Sequence, residues 1–179
     1  MSPRSQLSPL FLPLALAALL ASAPALPAPP ADAPPRIEVR YDHPERFSEF
    51  SGFNTGLSRS DSAAWLKTLQ RHITRQADRT LPAGQQLDVT ITELKRAGGY
   101  EPWHGPQFSD VRIVRDIYPP RIDLSFRLTD ADGRELASGN RQLRNPAFMM
   151  STSRYRDDEL RYEKALVDDW LRREFGRRS

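Results

Sequence analysis

From Arg36 to Tyr41 the chain alternates, with Ile37, Val39 and Tyr41 set between charged residues. A period of two sends successive side chains to opposite faces, which predicts a strand with one buried face. The alternation returns over 86–94, where Leu87, Val89 and Ile91 oppose Asp88, Thr90 and Thr92, and again over 111–117. It is cleanest over 122–129, with Ile122, Leu124, Phe126 and Leu128 on one side. Tyr118, Pro119 and Pro120 are expected to join these last two strands. After a turn at Asp130, Ala131, Asp132 and Gly133, residues 135–143 read as a weaker strand, and Gly139 and Asn140 mark it as an edge or a bulge.

Two stretches change period. Trp65, Leu66, Leu69, Ile73 and Ala77 recur at three- and four-residue steps, the stripe of an amphipathic helix capped by Ser60 or Asp61. Pro82 and Gly84 end it near Thr80. Leu160, Tyr162, Leu166, Val167, Trp170 and Leu171 form a second stripe over about 157–175, closed by Gly176. Between the first strand and the first helix, Pro44, Gly52, Asn54 and Gly56 indicate a loop, which Phe47, Phe50 and Phe53 are expected to pin to the core.

The element order is therefore β-α-β-β-β-β-α. Strands apolar on one face cannot be covered on both sides. This predicts an α+β, two-layer sandwich: a mainly antiparallel sheet of four or five strands with both helices on its apolar face. The first β-α-β unit can add a parallel pair by a right-handed crossover.

The segment ahead of this domain changes the picture. Arg4, then an uncharged Leu/Ala run from Leu10 to Ala21, then small residues, follow the order of a secretory signal peptide over 1–23, with cleavage near 23–25. The run is shorter than the roughly 20 apolar residues of a membrane span. Residues 24–35 are nearly all Pro and Ala, an extended and disordered tether. Residues 36–179 make one domain. These features predict a periplasmic or secreted protein that is soluble, with no membrane insertion after cleavage. Cysteine is absent, so neither a lipid-anchoring thiol nor a disulfide is available. The core must hold the fold unaided. The 26 basic and 23 acidic residues interleave without a basic block, which argues against nucleic acid.

Candidate chemistry is sparse. No Gly-x-Ser-x-Gly elbow occurs, and His43, His72 and His104 lack the short spacings of a metal helix or loop. No catalytic, metal or cofactor residue is assigned. The irregular stretch 97–109 carries Tyr100, Glu101, Trp103, His104 and Phe108, residue types enriched at binding hot spots. The competing reading folds Trp103 and Phe108 back over the end of the sheet. A second group, Arg112, Arg115, Asp116, Arg121, Arg154, Arg156, Asp157 and Asp158, is expected either to stitch the 111–129 strands to the last helix or to hold an anion. Glu163 falls inside the apolar stripe of that helix and needs a partner, expected to be an Arg from the sheet.

Residues 110–122 (DVRIVRDIYPPRI) and 154–170 (RYRDDELRYEKALVDDW) resemble the exported bacterial proteins grouped as domain of unknown function 3016. The likeness extends through Leu81, Pro82, Ala83, Gly84 and Gln85 and through Gly99, Tyr100, Glu101, Pro102 and Trp103. It implies an export signal and one compact domain, and it carries no assigned activity. The expectation is a non-enzymatic envelope protein that binds an envelope partner or an anionic small ligand through the aromatic loop or the Arg group. The alternative is an envelope or extracellular hydrolase whose site is assembled from loops. Oligomeric state is unreadable from the chain.

Overall fold

A computed structural model describes residues 35–50, 59–105, 111–151 and 154–176. The expected leader and nearly all of the tether, together with Phe53 and Phe108, lie outside these residues.

Four strands form one sheet in the order β1-β2-β5-β6: β1 (Ile37–Tyr41), β2 (Gln86–Lys95), β5 (Arg121–Thr129) and β6 (Glu135–Arg144). β1 runs parallel to β2, because helix α1 (Arg59–Thr80) carries the chain back between them. The other two pairings are antiparallel. The sheet is thus mixed, antiparallel in the main, with β1 and β6 at its edges. Helix α2 (Arg161–Phe175) lies beside α1, and both close on the apolar face.

Ile37, Val39, Leu87, Val89, Ile91, Ile122, Leu124, Phe126 and Leu128 meet Trp65, Leu69, Ile73, Leu166, Val167 and Trp170 in one core. Strict alternation along β2 would turn Glu93 inward after Ile91. A register shift between Ile91 and Glu93 prevents this and returns Leu94 to the core. Glu93 instead stays at the surface side and accepts the Ser48 amide at 2.8 Å. Phe47 is buried and Phe50 packs against the core, so the described part of this loop, up to Phe50, is pinned by its aromatics. At the sheet's far end Phe126, Trp170 and Phe175 stack edge to face, with centroids 5.5–5.9 Å apart.

Three expectations need correction. Residues 111–117 do not form a long strand joined to β5. Only Arg112–Ile113 (β4) is extended, and it pairs with Gly99–Tyr100 (β3) in a separate two-stranded ribbon. Both flanks of β5 are already taken by β2 and β6, and the chain turns at 115–118, where Tyr118 N–H donates to the Arg115 carbonyl at 3.0 Å. The first helix begins at Arg59, so Ser60 and Asp61 lie within it rather than capping it. α2 starts at Arg161 rather than 157, because the Asp158 carboxylate accepts the Leu160 amide at 2.8 Å and holds the preceding turn out of helical form.

Candidate functional site

The ribbon of β3 and β4 projects from the end of β2, and its base is fixed by buried polar groups. Glu49 Oε2 accepts the Arg96 amide at 2.9 Å, and Glu163 Oε1 accepts the Ala97 amide at 2.7 Å. Two carboxylates from different parts of the chain thereby hold successive backbone N–H groups that β2 leaves unpaired as it ends. Arg112 completes the clamp. It is ion-paired to Glu49, donates to the carbonyls of Ala97 and Gly98 at 3.2 Å, and lies 4.9 Å over the Tyr100 ring. The Arg96 guanidinium passes over Trp65 and reaches Glu159 at 2.7 Å.

The partner of Glu163 is therefore a backbone amide, not the sheet arginine expected from the sequence. The nearby Arg96 charge acts on it without forming an ion pair. Burial raises the Glu163 pKa, and the Ala97 amide and Arg96 only partly offset this.

The ribbon itself depends on two glycines. Gly98 has φ of +88°, and a Cβ there would stand 2.8 Å from the Ile113 carbonyl oxygen. At Gly99 a Cβ would press on the Tyr118 ring at 3.3 Å. Their smallness lets 98–100 lie flat against 112–118, and the Gly98 amide donates to the Tyr118 carbonyl at 3.0 Å.

Directly beyond sits Glu101, 1% exposed. Tyr118 donates to its Oε1 at 3.0 Å, Arg115 lies at 3.1 Å and 3.3 Å from its two oxygens, and His104 Nε2 is 3.0 Å from Oε2. Burial alone would lift this carboxyl, but the Tyr118 hydrogen bond and the charges of Arg115 and His104 hold it below the ordinary range. Among the described residues, all of its side-chain partners are donors, and no serine or second carboxylate joins them. The knot fixes a single turn of 3-10 helix, Pro102–His104, on which Trp103 stands 69% exposed. Trp103 therefore does not fold back over the sheet. Ile117, two residues from Arg115, is also open to solvent, at 61%.

The structure thus gathers Tyr100, Glu101, Trp103, His104, Arg112 and Arg115 around one ribbon. It separates Arg154 and Arg156 from them. The Arg group is not one cluster: Arg121 pairs with Asp123 within β5, and Asp158 holds Lys164. The end of β2, at the root of the ribbon, is tied instead to Glu163 of α2 and to Glu159 just before it.

A second polar knot joins the helices. His72 Nε2 lies 2.8 Å from Asp168 Oδ1, Tyr155 donates to Oδ2 at 2.7 Å, and the His72 and Tyr155 rings meet edge to face. Sequence reasoning missed this pair because 96 positions separate its members. The available signal was a histidine and an aspartate each bordering an apolar stripe, beside Ile73 and Val167. Among the described residues, no group of three or more His, Asp or Glu gathers as a metal site, and no helix is long and apolar enough to cross a membrane.

A family model described as protein of unknown function (DUF3016) matches residues 35–173, which take in the sheet, α1, all but the last two residues of α2, the ribbon and both knots. The chain belongs to that family. No curated protein matches this DUF3016 chain. The segments quoted for the resemblance map onto the site: 99–103 forms β3 and carries Trp103, 110–122 supplies β4 and two of the Glu101 partners, Arg115 and Tyr118, and 154–170 carries Glu159, Glu163 and Asp168.

Proposed function

We propose that this DUF3016 chain is an exported, non-enzymatic binding protein of the cell envelope, and that it docks on a partner protein through the ribbon tip. The observation that carries the reading is the contrast between Trp103, 69% exposed, and Glu101 two residues away, 1% exposed. An indole held out into water on a backbone that is clamped beneath it binds with little ordering cost. Tryptophan set this way is the residue type on which interfaces concentrate their binding energy. Ile117 and Val111, both exposed beside the same ribbon, extend the apolar surface, and Arg115 gives it a charged margin. The fitting partner is a protein with an apolar pocket and a polar rim. Export is supported by the charged start, the Leu/Ala run and the small residues over 1–23.

The hydrolase alternative needs a carboxylate pair, or a serine with a histidine, open to a substrate. Glu49 and Glu163 do influence each other, but both are buried and each closes on a backbone amide, which supports a structural job for them.

A photo-crosslinking amino acid at position 117, introduced in cells making the full chain, tests the docking face. The reading expects a discrete adduct from 117 that disappears with Trp103→Ala, and none from position 136, an exposed leucine on β6. Equal adducts from 117 and 136, or an adduct indifferent to Trp103→Ala, would overturn it.

A further inference from the structure

Between the last turns of α1 and the C-terminal half of α2 lies an open cavity of about 230 Å³, far from drug-sized but roomy for a small ion with its waters. Gln76 and Thr80 line it from α1, Asp168, Leu171 and Arg172 from α2, and Arg154 from the segment before α2. Its chemistry is uneven in a useful way. Among the described residues, the Arg154 guanidinium and the Gln76 amide make no hydrogen bond and no ion pair, although Arg154 is close enough for its charge to act on Asp168. A guanidinium has five N–H groups to place, and here they are left to the cavity and to solvent.

Asp168 is the opposite case. Each oxygen already accepts one bond, from His72 and from Tyr155, and its side chain is 12% exposed where it meets the cavity. A carboxylate oxygen can accept a second bond. The cavity therefore presents cationic and amide donors together with one fixed acceptor. An anion without a proton of its own satisfies Arg154 and Gln76 but sets lone pairs against the Asp168 oxygens. An anion that brings a donor satisfies both.

We infer that this cavity binds a small oxyanion carrying its own hydrogen-bond donor: hydrogen phosphate, or a small phosphate monoester whose carbon-bound hydroxyl supplies the donor. Arg154 and Gln76 donate to its unprotonated oxygens, Arg172, itself ion-paired to Asp169, lends its charge at the rim, and the ligand's own O–H donates to Asp168. His72 and Tyr155 are positioning residues that hold the acceptor carboxylate in place. The site is separate from the ribbon and does not depend on the docking proposed there.

Calorimetric titration of the full chain with inorganic phosphate, glycerol phosphate and sulfate at matched ionic strength tests this. Sulfate has the shape of phosphate but no proton at neutral pH. The expected result is saturable binding of phosphate, with sulfate weaker by about tenfold or more, the size of one charge-assisted hydrogen bond. Glycerol phosphate binding more tightly than phosphate assigns the site to a phosphorylated metabolite, and the reverse order assigns it to free phosphate. Arg154→Gln, at an exposed position that burial does not constrain, lowers phosphate affinity about tenfold or more, whereas Arg156→Gln leaves it unchanged. Absence of saturable phosphate heat, sulfate binding as tightly as phosphate, or equal losses from Arg154→Gln and Arg156→Gln would each overturn the inference.

Discussion

Ala97 and Glu163 stand 66 positions apart, and the amide of one donates to the buried carboxylate of the other at 2.7 Å. This bond, with its neighbour from Arg96 to Glu49, closes the end of β2 where the sheet offers no further partner. It fixes α2 to the root of the ribbon, and so ties the helical layer to the surface on which Trp103 stands.

Replacing that carboxylate exposes two separable effects. Glu163→Ala leaves the Ala97 amide buried without an acceptor and opens a void, with an expected loss of about 2–4 kcal/mol in urea unfolding. Glu163→Gln keeps an acceptor for the amide and removes the ionisation. The Glu163 pKa is raised in the fold, mainly by burial, so its contribution is complete below the unfolded carboxylate pKa and declines as pH rises through the folded value. Stability of Glu163→Gln is therefore expected to lack that decline, read by urea titrations from pH 4 upward.

Gly98→Ala forces a Cβ against the Ile113 carbonyl at a φ that side chains avoid. The expected loss is about 1–3 kcal/mol. It should appear as faster amide exchange at Gly99 and Tyr100 before the sheet core responds. Slow exchange in the ribbon with wild-type stability would contradict the clamp.

The helix-to-helix knot acts with the opposite sign. Burial pulls the Asp168 pKa up, but hydrogen bonds from His72 and Tyr155 outweigh it and leave the carboxyl below its ordinary range. Tyr155, half-buried and bonded to the same carboxylate, is pushed up to about 12. A depressed carboxyl contributes stability that is present above the unfolded pKa and lost as pH falls through the folded one. Asp168→Asn is expected to lower stability at pH 7 and to flatten the acid limb of a melting-temperature profile below about pH 5, where the depressed carboxyl gives up its contribution. An unchanged acid limb would count against the knot.

The layered fold was legible because its information is local. β1, β2 and β5 announce their faces by alternation, β6 only weakly, and each helix announces its stripe. The failures fall where distant residues decide. Residues 111–117 alternate well enough, but β5 has no free flank, and that depends on where β2 and β6 go. Glu163 visibly needed a partner, but the orphan amide at Ala97 arises only once β2 ends beside α2. For the site, Tyr100, Glu101, Trp103 and His104 were legible as a short aromatic run. That Glu101 would be buried and Trp103 exposed was not, because Arg115 and Tyr118, 14 and 17 positions further on, settle it.

Trp103 bears the most weight, and the affinity of the crosslinked partner for purified Trp103→Ala measures its role most directly. Thermal unfolding of the same variant should stay within about 0.5 kcal/mol of the parent, as for an exposed side chain. Its dissociation constant should rise about tenfold or more, with Leu136→Ala unchanged. Unaltered affinity, or a collapse in stability like that of a core residue, would contradict a tip held out for docking.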